Sequence, residues 1–187
     1  MKRLEIRQLE KNEFDEAMKI LDKELKNRPR DNNFLLEKFE KYPKYFIGAF
    51  LDKEIVGIIC GYPREDYLLL SEIAVDSGFQ RRGLGTMLVR EFERNSGGYR
   101  KIKVGVTDNA VDFYKSLGYN NFLQVQYKKG CYSDEEFKEL NITKESEDTT
   151  YKMLEVKKDK CDEGQLVKLR EKCPNAFFQY IFIRDKK

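Results

Sequence analysis

The sequence predicts an α/β fold: a mixed central sheet flanked by helices, with a helix–strand extension at the C-terminal side. Three observations carry this prediction. Apolar and polar residues alternate at period two in several short runs, and in others apolar residues recur at spacings of three and four. The two kinds of run also interleave along the chain, in the order strand, two helices, three strands, helix, strand, helix, strand. Interleaving of this kind needs a sheet with both parallel and antiparallel neighbours, covered by helices.

Leu4 and Ile6 alternate with Arg3, Glu5 and Arg7, a half-buried strand. Phe14, Ala17, Met18, Leu21 and Leu25 form one helix face, and Pro29 closes that helix. A shorter helix runs through residues 34–39. Residues 45–51 and 55–62 are apolar strands joined by Asp52-Lys53-Glu54 as a hairpin, and 67–75 is a third strand. After a loop over 76–82, a helix starts near Gly83, carries Leu84, Leu88 and Phe92 on one face, and stops at Gly97-Gly98. Ile102, Val104 and Val106 alternate as a strand. Ala110, Phe113, Tyr114 and Leu117 form a helix face that Gly118 ends, and 122–127 is again a strand. Ser133-Asp134-Glu135-Glu136 has the form of a capping box and predicts a short helix. Residues 141–149 are polar and read as a loop, 151–156 as a strand, 163–172 as a helix closed by Pro174, and 177–183 as a nearly unbroken apolar strand. That last strand is too apolar to leave in water. It fits beside 151–156, beside 122–127 or across a two-fold axis, and apolar residues on both its faces predict a place between layers.

The 187 residues suffice for one domain over 1–157, with 158–187 as an extension packed on it. A hydrophobic fraction of 40%, with 13 Phe and 11 Tyr, supplies a core. The 37% of charged residues nearly cancel, to a net +3, which argues against a dedicated nucleic-acid binder but suits a small polyanion met by local charge. The start has no apolar run of a signal peptide, and no stretch approaches the ~20 apolar residues of a membrane span. A cytoplasmic protein without membrane or nucleic-acid partners is therefore expected, as a monomer or homodimer. Cys60, Cys131, Cys161 and Cys173 are scattered and histidine is absent, so reduced thiols and no metal site are expected.

The chemistry concentrates where Ser71-Glu72-Ile73-Ala74-Val75 runs on to Gln80-Arg81-Arg82-Gly83-Leu84-Gly85-Thr86. A strand enters a loop, and the loop opens a helix at two glycines one residue apart. The first N–H groups of a helix lack intrahelical partners and point outward with the positive end of the dipole. Glycines leave those donors uncovered, so the segment forms a pyrophosphate cradle, with Arg81 and Arg82 adding charge at its rim. A dinucleotide fingerprint is excluded because Leu88 stands where its third glycine belongs, and a Walker loop because Gly-Lys-Ser/Thr is missing.

On these residues the chain resembles the GCN5-related N-acetyltransferase (GNAT) superfamily. Gln80-Arg81-Arg82-Gly83-Leu84-Gly85 is similar to its (Arg/Gln)-x-x-Gly-x-(Gly/Ala) acyl-CoA motif, preceded by the typical strand end Ile73-Ala74-Val75. Some 25 residues on, the stretch from Asn109-Ala110 through Phe113-Tyr114 to Gly118-Tyr119 resembles its second signature, and Tyr151-Lys152-Met153 resembles its closing strand. The resemblance, over about residues 4–157, implies a GNAT-type sheet and an acetyl-CoA-dependent N-acetyltransferase acting on a primary amine by direct attack. It implies that backbone groups of Ile73 and Val75 pair with the pantetheine arm and that amides from Arg81 to Thr86 hold the pyrophosphate. It implies that Tyr114 protonates the departing thiolate. Many members carry Asn seven residues before the tyrosine; here that position is Thr107, with Asn109 two residues later.

Each sharp assignment has a plainer rival. Gly83 and Gly85 also suit a bare tight turn, Arg81 and Arg82 ordinary solvated charge, and Tyr114 shares a helix face with Ala110, Phe113 and Leu117. Glu72 is the carboxylate placed to deprotonate an acceptor amine, or an ordinary ion-paired one. Tyr62, Tyr67 and Tyr127 line an acceptor site or simply pack. The rival functions are a non-catalytic acyl-CoA sensor and a protein-interaction module. CoA binding separates the latter from the other two, and thiol release with amines separates catalysis from sensing.

Overall fold

Four strands open the chain and pair in order: β1 (Leu4–Gln8), β2 (Phe46–Leu51), β3 (Glu54–Pro63) and β4 (Leu68–Val75), each antiparallel to the next. The structure, a computed structural model, describes residues 3–26, 30–106, 110–156 and 163–185. Its contacts divide the chain into two units, Met1–Lys103 with Asp185–Lys187, and Val104–Arg184.

In the first unit, the β2–β3 hairpin turns through Asp52 and Lys53 at φ of 51° and 75°, the paired left-handed residues that match the twist of two antiparallel strands. One face of the sheet is covered by α1 (Phe14–Glu24) and α2 (Asn32–Lys41), the latter capped by the Asp31 carboxylate, which accepts from the N–H groups of Asn33 and Phe34. Phe14, Ala17, Met18 and Leu21 of α1 and Leu35 and Phe39 of α2 share a core with Phe46, Ile58, Cys60 and Ala74. Phe39 stacks on Phe14 and meets Phe46 edge-on, both at 5.2 Å between ring centres.

The helix α3 (Leu84–Asn95) packs against the same strands with Leu88 and Phe92. Close approach there depends on glycine: a Cβ on Gly57 would lie 3.3 Å from Leu88, and one on Gly61 2.6 Å from Phe92. This helix carries the chain from the end of β4 to β5 (Lys101–Val106), which starts beside β4. A helical crossover of that kind joins parallel strands, so the sheet is mixed as the sequence predicts.

The second unit takes up the end of β5 and adds α4 (Val111–Ser116), β6 (Asn120–Lys128), β7 (Ile142–Glu147), β8 (Tyr151–Val156), α5 (Glu163–Lys172) and β9 (Phe177–Asp185). Its strand order is β9-β6-β8-β7, antiparallel throughout. Of the three placements open to the C-terminal strand, the structure takes the one beside β6, with Leu123 opposite Tyr180 and Val125 opposite Phe178. The guanidinium of Arg184 on β9 donates to the carbonyls of Leu117 and Gly118, satisfying the C-terminal end of α4 where Gly118 turns at φ 81°. The strand does not have two dry faces: Tyr180 and Phe182 are buried, whereas Phe177 is 57% exposed.

The capping box forms as predicted, with Glu136 accepting from the Ser133 N–H at 2.8 Å over a single 3-10 turn, Asp134–Phe137. The polar stretch 141–149, predicted as a loop, instead holds the edge strand β7. Its side chains are exposed apart from the half-buried Ile142, and its hairpin with β8 is fastened by cross-strand pairs, Lys152 with Glu145 at 3.2 Å and Lys144 with Glu155 at 3.9 Å. No helix among the described residues is long and apolar enough to cross a membrane.

Candidate functional site

The strand β4 alternates buried and half-buried residues from Leu68 to Val75, so Leu68, Leu70, Glu72 and Ala74 turn inward. Its pairing with β3 slips once: Cys60 faces Glu72, but Gly61 faces Leu70, leaving Ser71 as an extra residue. Such a bulge interrupts the ladder and re-aims the neighbouring side chains. It adjoins Glu72, whose side chain is only 8% exposed, and Arg30 stands over it with Nη2 3.9 Å from Oε2. Arg30 is itself buried and ion-paired through Nη1 to Asp22 at 2.7 Å. The carboxylate that the sequence singles out thus has the ion-paired surroundings of the plainer reading.

Beyond Val75 the chain makes a 3-10 turn, Ser77–Phe79, and then the helix start. Gly83 stands at the N-cap of α3 with φ 81°, a conformation that costs a side chain-bearing residue about 1–2 kcal/mol. No side chain caps this helix, and a Cβ built on Gly83 meets nothing within 4 Å. No side-chain oxygen therefore occupies the first N–H groups of the helix, and the side of Gly83 is open. Arg81 also has positive φ, 58°, is exposed, and makes no hydrogen bond or ion pair among the described residues.

Gln80 and Arg82 are occupied differently. Gln80 Nε2 donates to the Val75 carbonyl at 2.8 Å and to Glu24 at 3.3 Å. Arg82 donates to the Gly78 carbonyl at 3.1 Å and lies over the Phe79 ring. The loop is tied to the end of α1: Glu24 accepts from the Ser77 N–H at 3.0 Å, and Lys23 pairs with Asp76, which also accepts from the Gly78 N–H at 2.9 Å. The hydrogen bond from Lys23, reinforced by the Gly78 amide, holds the Asp76 carboxyl below its usual range, and Lys23 is raised in return. Lys23, Glu24 and Asp76 escape a sequence reading because some 53 residues separate the partners. The bulge did leave a signal, Gly61 in mid-strand opposite it.

Ile73 and Val75 are half-buried, opposite Ile59 and Gly57 of β3. The Val75 carbonyl already accepts from Gln80, though a carbonyl oxygen has a second lone pair. Leu84 is buried under α3, while Gly85 and Thr86 are half-exposed at its first turn. Thr107 and Asn109 lie outside the described residues.

Tyr114 sits on α4 in the second unit, 2% exposed, with Phe113, Tyr119 and Phe182 around its ring at 5.0, 5.5 and 5.6 Å. The other tyrosines also pack. Tyr62 meets Phe34 edge-on, and Tyr127 stacks on Phe137. Tyr67 is half-buried under the Lys103 ammonium, and burial raises its phenol above the usual value. Among the described residues no group of three or more His, Cys, Asp or Glu converges as a metal site would.

Fold and loop define an α/β protein whose fourth strand leads into an open, uncapped helix start. The chain belongs to the Acetyltransferase (GNAT) family, whose model matches residues 4–119. No curated protein matches it significantly. Among solved structures it is similar to the NatC complex bound to Gag peptide and CoA, at 12% identity and TM-score 0.62, covering 99% of each chain. It is similar to the diaminobutyrate acetyltransferase EctA of Paenibacillus lautus, solved with its substrate and coenzyme A, at 13% identity and TM-score 0.58, covering 83% of this chain and 96% of that one. A candidate acetyltransferase of Pyrococcus horikoshii has TM-score 0.57 at 19% identity; 77% of this chain is covered, but only half of that longer chain. At such identities the likeness is one of fold.

Proposed function

We propose that the chain is an N-acetyltransferase that moves an acetyl group from acetyl-CoA to a primary amine. The observation that carries this reading is the start of α3: a left-handed glycine at its N-cap, no capping side chain, and open space beside that glycine. That geometry suits a pyrophosphate, which Arg81 through Thr86 would hold with backbone N–H groups while Arg81 adds charge. Backbone groups of Ile73 and Val75 would align the pantetheine arm. Thr107 and Asn109 are proposed beside the cofactor on the strength of the motif. CoA complexes of family members with the same fold also support the choice.

Acetyl-CoA supplies an activated thioester, so the chain needs no nucleophile of its own. Its part is positioning and proton management. The amine nitrogen bonds to the acetyl carbon, the carbon–sulfur bond breaks, and the sulfur takes a proton, for which Tyr114 is the proposed donor. Glu72 is the proposed base, directly or through water.

Gly85→Glu tests the cradle, since it sets bulk and negative charge at the first turn of α3. Acetyl-CoA affinity by calorimetry should collapse while circular dichroism shows an intact fold; a folded variant with parent affinity would sink the assignment. Thiol release from acetyl-CoA with a panel of primary amines then tests the transfer itself.

A further inference from the structure

The second unit carries a cavity lined by none of the residues proposed above to hold acetyl-CoA or to move its protons, although Tyr127 borders it. It has a volume of about 510 Å³, within the range that holds small molecules, and Gln126, Lys128, Cys131, Tyr151, Asn175 and Phe177 line it. Strand register explains how these residues meet. Phe177 on β9 faces Gln126 on β6, and Tyr151 on β8 faces Lys128 two residues further along β6. Directly opposed residues share a face, and so do residues two apart on one strand. All four side chains therefore rise from the same side of the sheet. Strand spacing and rise set the two aromatic residues about 12 Å apart at Cα, room for one flat ring system between them.

Both rings are left open: Phe177 is 57% exposed and Tyr151 40%. Asn175, at the cavity's border, is held in place: its N–H donates to the Tyr132 hydroxyl at 2.9 Å, and Tyr132 packs on Tyr127 and Phe137. Of the acids of the β7–β8 hairpin, Glu145 is matched by Lys152, Glu147 by Lys129 and Glu155 by Lys144, while Asp148 at the turn accepts from the backbone N–H groups of Thr150 and Tyr151. Lys128 has no ion pair among the described residues, and the side-chain amides of Gln126 and Asn175 bond no other described group. One free cation, two free amides and two open rings thus converge on one cavity.

We propose that this cavity binds a flat aromatic acid, its ring between Phe177 and Tyr151 and its carboxylate on Lys128 and the amides. The proposal stands whether or not the chain transfers acetyl groups. Cys131 supplies the reporter: it is a free, exposed thiol in the cavity, whereas Cys60 and Cys173 are buried. In a Cys161→Ser background, alkylation of Cys131 by iodoacetamide is followed by mass spectrometry against rising indole-3-acetate. Tryptamine serves as the probe with reversed charge and acetate as the probe without a ring. Indole-3-acetate at about ten times its dissociation constant should slow alkylation about tenfold, with acetate and tryptamine giving no protection. Phe177→Ala and Lys128→Gln should each raise the protecting concentration about tenfold, as the loss of one good contact implies, while acetyl-CoA affinity stays at the parent value. Absence of protection up to the solubility limit, equal protection by tryptamine, or protection unchanged in both variants would overturn the proposal.

Discussion

Replacing Gly61 with alanine should break the strand pairing that positions the candidate site. The added Cβ would stand 2.1 Å from the Leu69 carbonyl oxygen and 2.6 Å from the Phe92 ring. Normal carbon–oxygen contact is about 3.3 Å, so both neighbours must give way, the carbonyl oxygen by roughly an ångström. The Leu69 oxygen belongs to the backbone of β4, and Phe92 is fully buried in α3, so neither can swing aside. Overpacking of a rigid site costs about 1–3 kcal/mol, and the upper end applies where backbone must move. For a chain of this size, ~3 kcal/mol corresponds to a fall of about 6–12 °C in melting temperature. Gly97→Ala is the control, because its Cβ meets nothing within 4 Å and needs no positive φ. Thermal unfolding by circular dichroism compares the two variants. A Gly61→Ala protein melting within about 2 °C of Gly97→Ala would refute the steric argument.

Three further outcomes follow from the same contacts. Tyr114→Phe keeps the ring among Phe113, Tyr119 and Phe182 but removes the proton, so turnover should drop about 100-fold with little change in acetyl-CoA affinity; parent-rate turnover would demote Tyr114 to packing. The Asp76 carboxyl is depressed chiefly by Lys23, so its contribution to stability is full above the ordinary value of 3.8 and is lost as pH falls through the lower folded value. The melting-temperature gap between the parent and Asp76→Asn should therefore shrink on acidification, and an equal gap at about pH 7 and about pH 2 would contradict the sign. Deleting residues 159–187 removes β9 and strips β6 of one neighbour, so the truncated chain should aggregate; a soluble monomer with an unchanged melting temperature would show the segment dispensable.

Periodicity made most elements legible because it is a local record of burial. The α3 stripe of Leu84, Leu88 and Phe92 and the alternation of Ile102, Val104 and Val106 appear in the structure as buried faces. β7 failed the same test for a physical reason. The sequence Ile142-Thr143-Lys144-Glu145-Ser146-Glu147 buries almost nothing, and its strand is held by pairing and charge. Strand neighbours were equally illegible. Nothing local to residues 177–185 says whether they adjoin β6 or β8, and the choice falls to β6, where Tyr180 is buried opposite Leu123 and Phe182 reaches Tyr114.

The site shows the same division at finer grain. The glycines that open α3 were legible, since a left-handed N-cap and an uncapped first turn are properties of adjacent residues. The roles of the polar residues beside them were not. The sequence reads Gln80 as a residue of the cofactor motif and Arg82 as rim charge, yet their side chains turn back onto the Val75 and Gly78 carbonyls. Both therefore fix the loop, and the proposed function leaves recognition of an anion to backbone amides and to Arg81, whose side chain makes no bond within the described residues. The same logic applies at Glu72. Only the fold brings Arg30 from 42 positions away to stand over it, with Nη2 at 3.9 Å. A motif specifies the backbone conformation that a site needs; which side chains are spent holding that conformation is settled by partners far away in the chain.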